Sequence, residues 1–237
     1  GLHPRAFGNL KMCLSKKLTV RQLGIQPYQS TLNAMHHFTK TRTAETVDEI
    51  WLLEHPPTFT LGLTGNKKDI FFSNNIPVIK SDRGGQVTYH GLGQITAYVL
   101  IDLKRKNLSI RGLVTRLEHI IIDALVHWKI SASTQTGHPG VYINNEKVAS
   151  IGLRVKNCCS YHGFSLNVDM DLTPWQQISP CGQNVNMTQI ADQVKDKVSL
   201  SLISEVLLQK FQQNLHFRYL KTIQSTHNHY TKGCNKY

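Results

Sequence analysis

Cys181 stands between Pro180 and Gly182. Proline fixes the chain on one side of the thiol and glycine frees it on the other, so the cysteine sits at a bend. A free thiol with a pKa of about 8.5 is only slightly ionised at neutral pH, so a nucleophilic role needs a nearby cation or base. Without one, Cys181 is an inert loop thiol. Lys147, at the head of Val148-Ala149-Ser150-Ile151-Gly152, is a candidate cation. An ammonium about 4 Å from a thiolate gains roughly 4 kcal/mol at an effective dielectric of about 20, equal to about three pKa units. Burial of both charges reduces that gain, yet about two units would still leave most of the thiol ionised at pH 7. The plain alternative is a solvated hairpin lysine.

Two further stretches carry chemistry. Arg83-Gly84-Gly85-Gln86-Val87-Thr88-Tyr89-His90 runs into Gly91-Leu92-Gly93-Gln94. Glycines let backbone N–H groups approach a ligand closely. The spacing matches neither the Walker A loop nor G-x-G-x-x-G. A glycine-rich hairpin turn is the alternative, although a turn has no need of Arg83 and His90. Tyr161-His162-Gly163-Phe164 offers His162 as a base, a pocket donor or a core histidine. No metal is assigned: Asn167, Asp169 and Asp171 lack the Gly and Glu of an EF-hand loop, and adjacent Cys158 and Cys159 make a poor zinc pattern. His227, His229 and Cys234 read as a solvated tail.

The elements that must position these groups are legible from periodicity. Strands are expected at 17–23, 49–54, 58–61, 77–80, 95–103 and 161–168. Pro27 opens a helix with Tyr28, Leu32, Met35 and Phe38 at helical spacing. The clearest helix is 109–128. Ser109 caps it, and Ile110, Leu113, Val114, Leu117, Ile120, Ile121, Ala124, Leu125 and Trp128 form one apolar face. Residues 141–143 and 148–155 flank Asn144-Asn145 as a hairpin, and 199–211 form a late helix. The hairpin-like grouping of strands favours an α+β fold with a mixed, largely antiparallel sheet and flanking helices.

The chain of 237 residues is 40% hydrophobic and 18% charged, which excludes wholesale disorder and coiled coil. No run approaches a membrane span. Five cysteines without a C-x-x-C pair fit a reducing, cytoplasmic setting with free thiols. Residues 1–11 lack the apolar core of a secretory signal. No acid precedes Glu45, as in transit peptides, but Met12 gives the plainer reading of a start after an added leader. The expected organisation is a leader or disordered segment at 1–16, one catalytic domain at 17–220 and a basic extension at 221–237. The net charge of +12 suits an acidic partner, nucleic acid or an anionic surface, or is a general solubilising excess. The chain lacks an RNP pattern or a zinc finger, which argues against nucleic acid.

Taken together, these motifs resemble the lipoyl(octanoyl) transferase family, the LipB-type octanoyltransferases. Arg83 to Gln94 resembles that family's R-G-G-x-x-T-Y-H-G-P-G-Q signature. Gly140-Val141-Tyr142, Lys147 and Ser150-Ile151-Gly152-Leu153-Arg154 match its second block. His162-Gly163-Phe164-Ser165-Leu166-Asn167-Val168, Asp171-Leu172-Thr173-Pro174 and Pro180-Cys181-Gly182 match its third. The likeness spans about residues 17–220. It implies the fold of the biotin and lipoate protein ligase catalytic domain. It further implies transfer of an octanoyl group from acyl carrier protein to a lysine of a lipoyl domain, as in 2-oxoacid dehydrogenase complexes and the glycine cleavage H protein. By the same resemblance Cys181 carries the acyl thioester and Lys147 activates its thiol. Arg83, Gly84, Gly85, Gln86, Val87, Thr88, Tyr89, His90, Ser150, Ile151, Gly152, His162, Gly163 and Phe164 would line the acyl pocket. No cofactor is implied beyond the phosphopantetheine that carries the donor, and neither nucleic acid nor a membrane is an expected partner. The basic excess would then speed encounter with an acidic acyl carrier protein. Leu92 replaces the signature's proline, and an apolar side chain there could touch the acyl chain. Two rival chemistries are an ATP-dependent ligase of similar fold and a thiol hydrolase using Cys181 and His162.

Overall fold

The computed structural model describes residues 13–179 and 185–225. Its centre is an eight-stranded sheet in the order β11-β1-β2-β6-β10-β9-β8-β7. The strands are β1 (Lys17–Ile25), β2 (Asp48–Glu54), β6 (Gln94–Leu100), β7 (Ser133–Gln135), β8 (His138–Ile143), β9 (Glu146–Lys156), β10 (Cys159–Asn167) and β11 (Tyr219–Gln224). Within this sheet, among the described residues, only the β1 pairings with β2 and β11 are parallel. A small second sheet, β4-β3-β5, uses β3 (Thr58–Leu61), β4 (Val78–Lys80) and β5 (Val87–His90). The α+β expectation, with a mixed and largely antiparallel sheet, holds.

Alternation along the strands divides the side chains between two cores. Ile50, Leu52, Ala97, Val99, Phe164 and Leu166 face helices α3 (Ile110–Val126) and α4 (Leu200–Asn214). Trp51, Leu53, Tyr98, Leu100 and Tyr161 face α1 (Tyr28–Thr41), whose Tyr28, Leu32 and Met35 pack on them. A third cluster, with Phe59, Tyr89 and Trp175, fills the small sheet. β6 is buried along its whole length, which explains its nearly unbroken apolar sequence.

Local signals account for the boundaries. Ser109 and Ser199 accept hydrogen bonds from Gly112 and Leu202 N–H and so cap α3 and α4. Asn144 and Asn145 both take positive φ, 48° and 65°, in the two-residue turn between β8 and β9. The strand expected at 95–103 stops at Leu100, because Asp102 instead caps the short helix α2 (Leu103–Lys106). β11 was not foreseen; it runs across residue 220 and extends the sheet beside β1. The expected apolar face of α3 is covered only in part: Ile110 is 45% exposed, and Val114 is half-buried. Among the described residues no helix is long and apolar enough to cross a membrane.

One ion cluster pins α1 and α2 to β2. Asp48 is fully buried; its Oδ1 accepts from Arg42 Nη2 at 2.8 Å, Arg105 Nη1 at 3.4 Å and the Asp102 N–H at 2.8 Å. Removing one member leaves the others charged and desolvated. Asp48→Ala is therefore expected to cost about 3–5 kcal/mol in urea unfolding at pH 7. A cost below about 1 kcal/mol would show that water replaces the carboxylate.

Candidate active site at the seam of two clefts

Small residues on one sheet face open the main cleft. Thr96, Ser165 and Ser150 lie in one cross-strand row, and Tyr98, Gly163 and Gly152 in the next. Apart from Tyr98, these rows carry only small hydroxyl side chains or glycine, so a groove remains between the sheet and the glycine loop. All six line it, together with Tyr28 from the first turn of α1.

The glycine loop closes over this groove. The Gly84 N–H donates to the Leu153 carbonyl at 2.9 Å, beyond the point where β8 stops pairing with β9. A Cβ on Gly152 would stand 2.7 Å from the Gly84 oxygen, so no side chain fits there. Arg83 locks the loop from behind. Its Nη2 donates to the carbonyls of Thr60 and Gln86 at 2.8 and 2.9 Å, and its Nε to Thr60 Oγ1 at 3.1 Å.

Lys147 enters from the other end. A bulge opposite Val141 and Tyr142 breaks the alternation of β9, and Lys147 is only 4% exposed. Its side chain runs past Gly140, where an added Cβ would lie 2.7 Å from Lys147 Cε. Gly140, at φ 141°, is the residue that leaves the lysine its path. Nζ lies 5.9 Å from the Tyr142 ring centre. The Lys147 backbone is held by a segment far along the chain: its N–H donates to the Asn186 carbonyl at 2.8 Å, and its carbonyl accepts from the Thr188 N–H at 2.9 Å. A side-chain relay supports that segment. His90 Nδ1 donates to Gln94 Oε1 at 2.9 Å, Gln94 Nε2 donates to Asn167 Oδ1 at 3.0 Å, and Asn167 Nδ2 donates to the Thr188 carbonyl at 3.1 Å.

His90 and His162 line the cleft, and His55 packs behind that lining against His90 and Tyr98. His55 Nδ1 donates to the Gln26 carbonyl at 2.6 Å, and its Nε2 accepts from Tyr98 Oη at 2.6 Å. Burial pushes the His55 pKa down to about 4. Burial also lowers His90, and it lowers His162 against the opposing pull of Asp82. His162 Nε2 donates to Asp82 Oδ1 at 2.8 Å, while Tyr161 Oη and His36 Nε2 donate to Oδ2. Consecutive strand residues normally point to opposite faces. Tyr161 and His162 reach one carboxylate because His162 takes a left-handed φ of 60°. Burial opposes the Asp82 charge, but its bonds to His162, Tyr161 and His36 outweigh that and hold its pKa far below the usual carboxylate range.

Most of the expected binding residues meet here. Arg83, Gly84, Gly85, Val87, Thr88, His90, Ser150, Ile151, Gly152, His162, Gly163 and Phe164 line the main cleft with Lys147. Gln86 lines instead a second cleft that shares Lys147. Tyr89 does not line the cleft; its ring packs on Phe59 and Trp175, because it alternates with Thr88 and His90 along β5. Leu92 also lies off the cleft lining and is 42% exposed. Cys181 lies outside the described residues. Tyr28, Thr96, Tyr98, Ser165, His55 and Asp82 were not foreseen. Asp82 directly precedes the glycine block, and that position was its only signal.

The geometry has counterparts among known proteins. Residues 27–212 match the lipoyl protein ligase A/B catalytic domain, and the chain belongs to that family. It is 47% identical over 188 residues to the octanoyltransferase of Aliivibrio fischeri, covering 79% of this chain and 84% of that one. It is 43% identical over 217 residues to the octanoyltransferase of Vibrio cholerae, covering 91% and 100%. The protein is an acyltransferase of lipoate biosynthesis and protein lipoylation. The fold is that of lipoate-protein ligase A bound with ATP, with a TM-score of 0.73 at 14% identity over 87% of this chain and 89% of that one. The biotin protein ligase of Aquifex aeolicus shares it more distantly, with a TM-score of 0.55 at 13% identity over 84% and 70%.

The buried neutral histidines make stability depend on pH. Unfolded histidines bind protons near pH 6.5, whereas folded His55 stays neutral to about pH 4. Between these values the unfolded chain holds more protons, so stability falls as pH drops. His55 alone contributes about 2 kcal/mol of the loss from pH 7 to pH 5. Asp82 acts lower, its contribution fading as pH falls through its depressed pKa. Urea unfolding at pH 7 and pH 5 is expected to show this loss, with a smaller one for His55→Gln. Equal losses in both proteins would remove His55 from the account.

Proposed function

We propose that the chain moves an octanoyl group from octanoyl-acyl carrier protein to a lysine of a lipoyl domain, through a thioester on Cys181 that Lys147 makes possible. The supporting observation is the pairing of Lys147 with residues 186–188. Asn186, five residues after Cys181, is bonded to the Lys147 backbone, so a contact between the thiol and the lysine lies within reach of the intervening chain. The octanoyltransferase relatives support the acyl group. A structural neighbour described as a bi-partite lipoate protein ligase with its E2 lipoyl domain supports the kind of acceptor.

The reaction divides into two acyl transfers. The Cys181 thiolate attacks the donor carbonyl, the bond to the pantetheine sulfur breaks, and that sulfur leaves as a thiol with one proton. The acceptor lysine then loses a proton and attacks the Cys181 thioester. The C–S bond breaks, the nitrogen releases a second proton to solvent as the amide forms, and the Cys181 thiolate is restored. Lys147 favours the thiolate before the first attack and carries the protons of both halves. Thioester to amide is downhill, so neither a nucleotide nor another cofactor is needed. The octanoyl chain lies over Ser150, Gly152, Gly163 and Ser165. Each methylene there contributes roughly 0.8 kcal/mol, so neighbouring chain lengths are separated only modestly.

Intact-mass analysis after mixing with octanoyl-acyl carrier protein, without nucleotide, tests this. Wild type is expected to gain one hydroxylamine-labile octanoyl group and to pass it to a lipoyl domain. Cys181→Ser is expected to gain none. A labile adduct on Cys181→Ser, or product formed only with ATP, would contradict the reading.

A further inference from the structure

A second cleft of about 350 Å³, larger than the first at about 50 Å³, is also lined by Lys147. The two clefts share Gly84, Gly85, Lys147, Ile151 and Gly152, so they meet where the lysine enters. The second is walled by Ile110 and Val114 of α3, Pro139 at the start of β8, and the polar Thr64, Gln86 and His138. Ile110 and Val114 continue the core-facing stripe of α3, yet nothing among the described residues covers Ile110, which is 45% exposed.

We propose that this second cleft receives the pantetheine arm of the acyl donor and holds the thioester carbonyl at Lys147. The inference rests on the acyl transfer proposed above and adds where the donor's leaving group lies. A thioester carbonyl carbon is trigonal, with the acyl chain and the sulfur arm on different sides. With the chain in the main cleft, the arm must depart by another route, and the second cleft begins at Lys147. Its volume falls in the range of clefts that bind small molecules. Its lining also matches the arm's chemistry: Ile110, Val114 and Pro139 suit the gem-dimethyl and methylene groups, and Thr64, Gln86 and His138 suit the amides. The acceptor is a lysine on a four-carbon stem, too short to need a cleft of this extent.

Two cleft-filling variants test the assignment, Val114→Trp and the more exposed Ile110→Trp. For each, kcat/KM for acylation of Cys181 is measured with octanoyl-pantetheine and with S-phenyl thiooctanoate, a thioester that lacks the arm. The ratio of octanoyl-pantetheine to S-phenyl thiooctanoate is expected to fall at least tenfold in both variants, through a higher KM for the pantetheine donor. An unchanged ratio, or an equal loss with both donors, would overturn the assignment. The S-phenyl donor also reports that each variant is folded. If neither donor acylates wild-type Cys181, the proposed function itself fails; if wild type is acylated and the ratio holds, only the location of the arm is wrong.

Discussion

A lysine side chain folded almost wholly inside the protein, Lys147, is the feature around which this part of the sheet is arranged. Desolvating a lysine is costly unless the surroundings repay it. Here the bulge in β9 turns Lys147 inward, Gly140 gives up its side chain to leave a path, and residues 186–188 bond to the lysine backbone. Those three features bring together parts of the chain about forty residues apart. The relay from His90 through Gln94 and Asn167 to Thr188 ties the same segment to the cleft wall. A change at His90 or Asn167 thus reaches Lys147 without touching it.

The central sheet serves two purposes with its two faces. Towards α3 and α4 it presents Ala97, Val99, Phe164 and Leu166, an ordinary apolar layer. On the other face the same strands present Thr96, Gly163, Ser165 and Gly152, too small to fill the space, and the glycine loop roofs what remains. The fold thus keeps a packed core a single side chain away from an open groove. At the groove His162 adopts a left-handed backbone inside a strand, so that its ring and the Tyr161 hydroxyl converge on Asp82.

Much of this was legible in the residues. The helix at 110–126 announced itself through Ser109 and an apolar stripe, and the β8–β9 hairpin through Asn144-Asn145. The glycine block stood out because a turn has no need of Arg83 and His90, whereas His162-Gly163-Phe164 was assigned to the pocket through the family resemblance. Other features were hidden for physical reasons. Thr96 and Ser165 look like ordinary strand residues, and only the cross-strand register turns them into a groove. Tyr89 sits in the motif, yet alternation along β5 sends its ring into another core. The strand ending at Leu100 was overrun because Ile101 is as apolar as its neighbours, and the cap at Asp102 is a side-chain bond. The second cleft draws on α3, a β-turn and the glycine loop, which no local pattern joins.

The proposed action of Lys147 on the Cys181 sulfur is most directly tested by the pH dependence of thiol alkylation in wild type and Lys147→Met. Alkylation of the wild-type thiol should persist to lower pH than in Lys147→Met, whose thiol should behave as an ordinary cysteine. Superimposable alkylation profiles would mean that the lysine does not act on the sulfur.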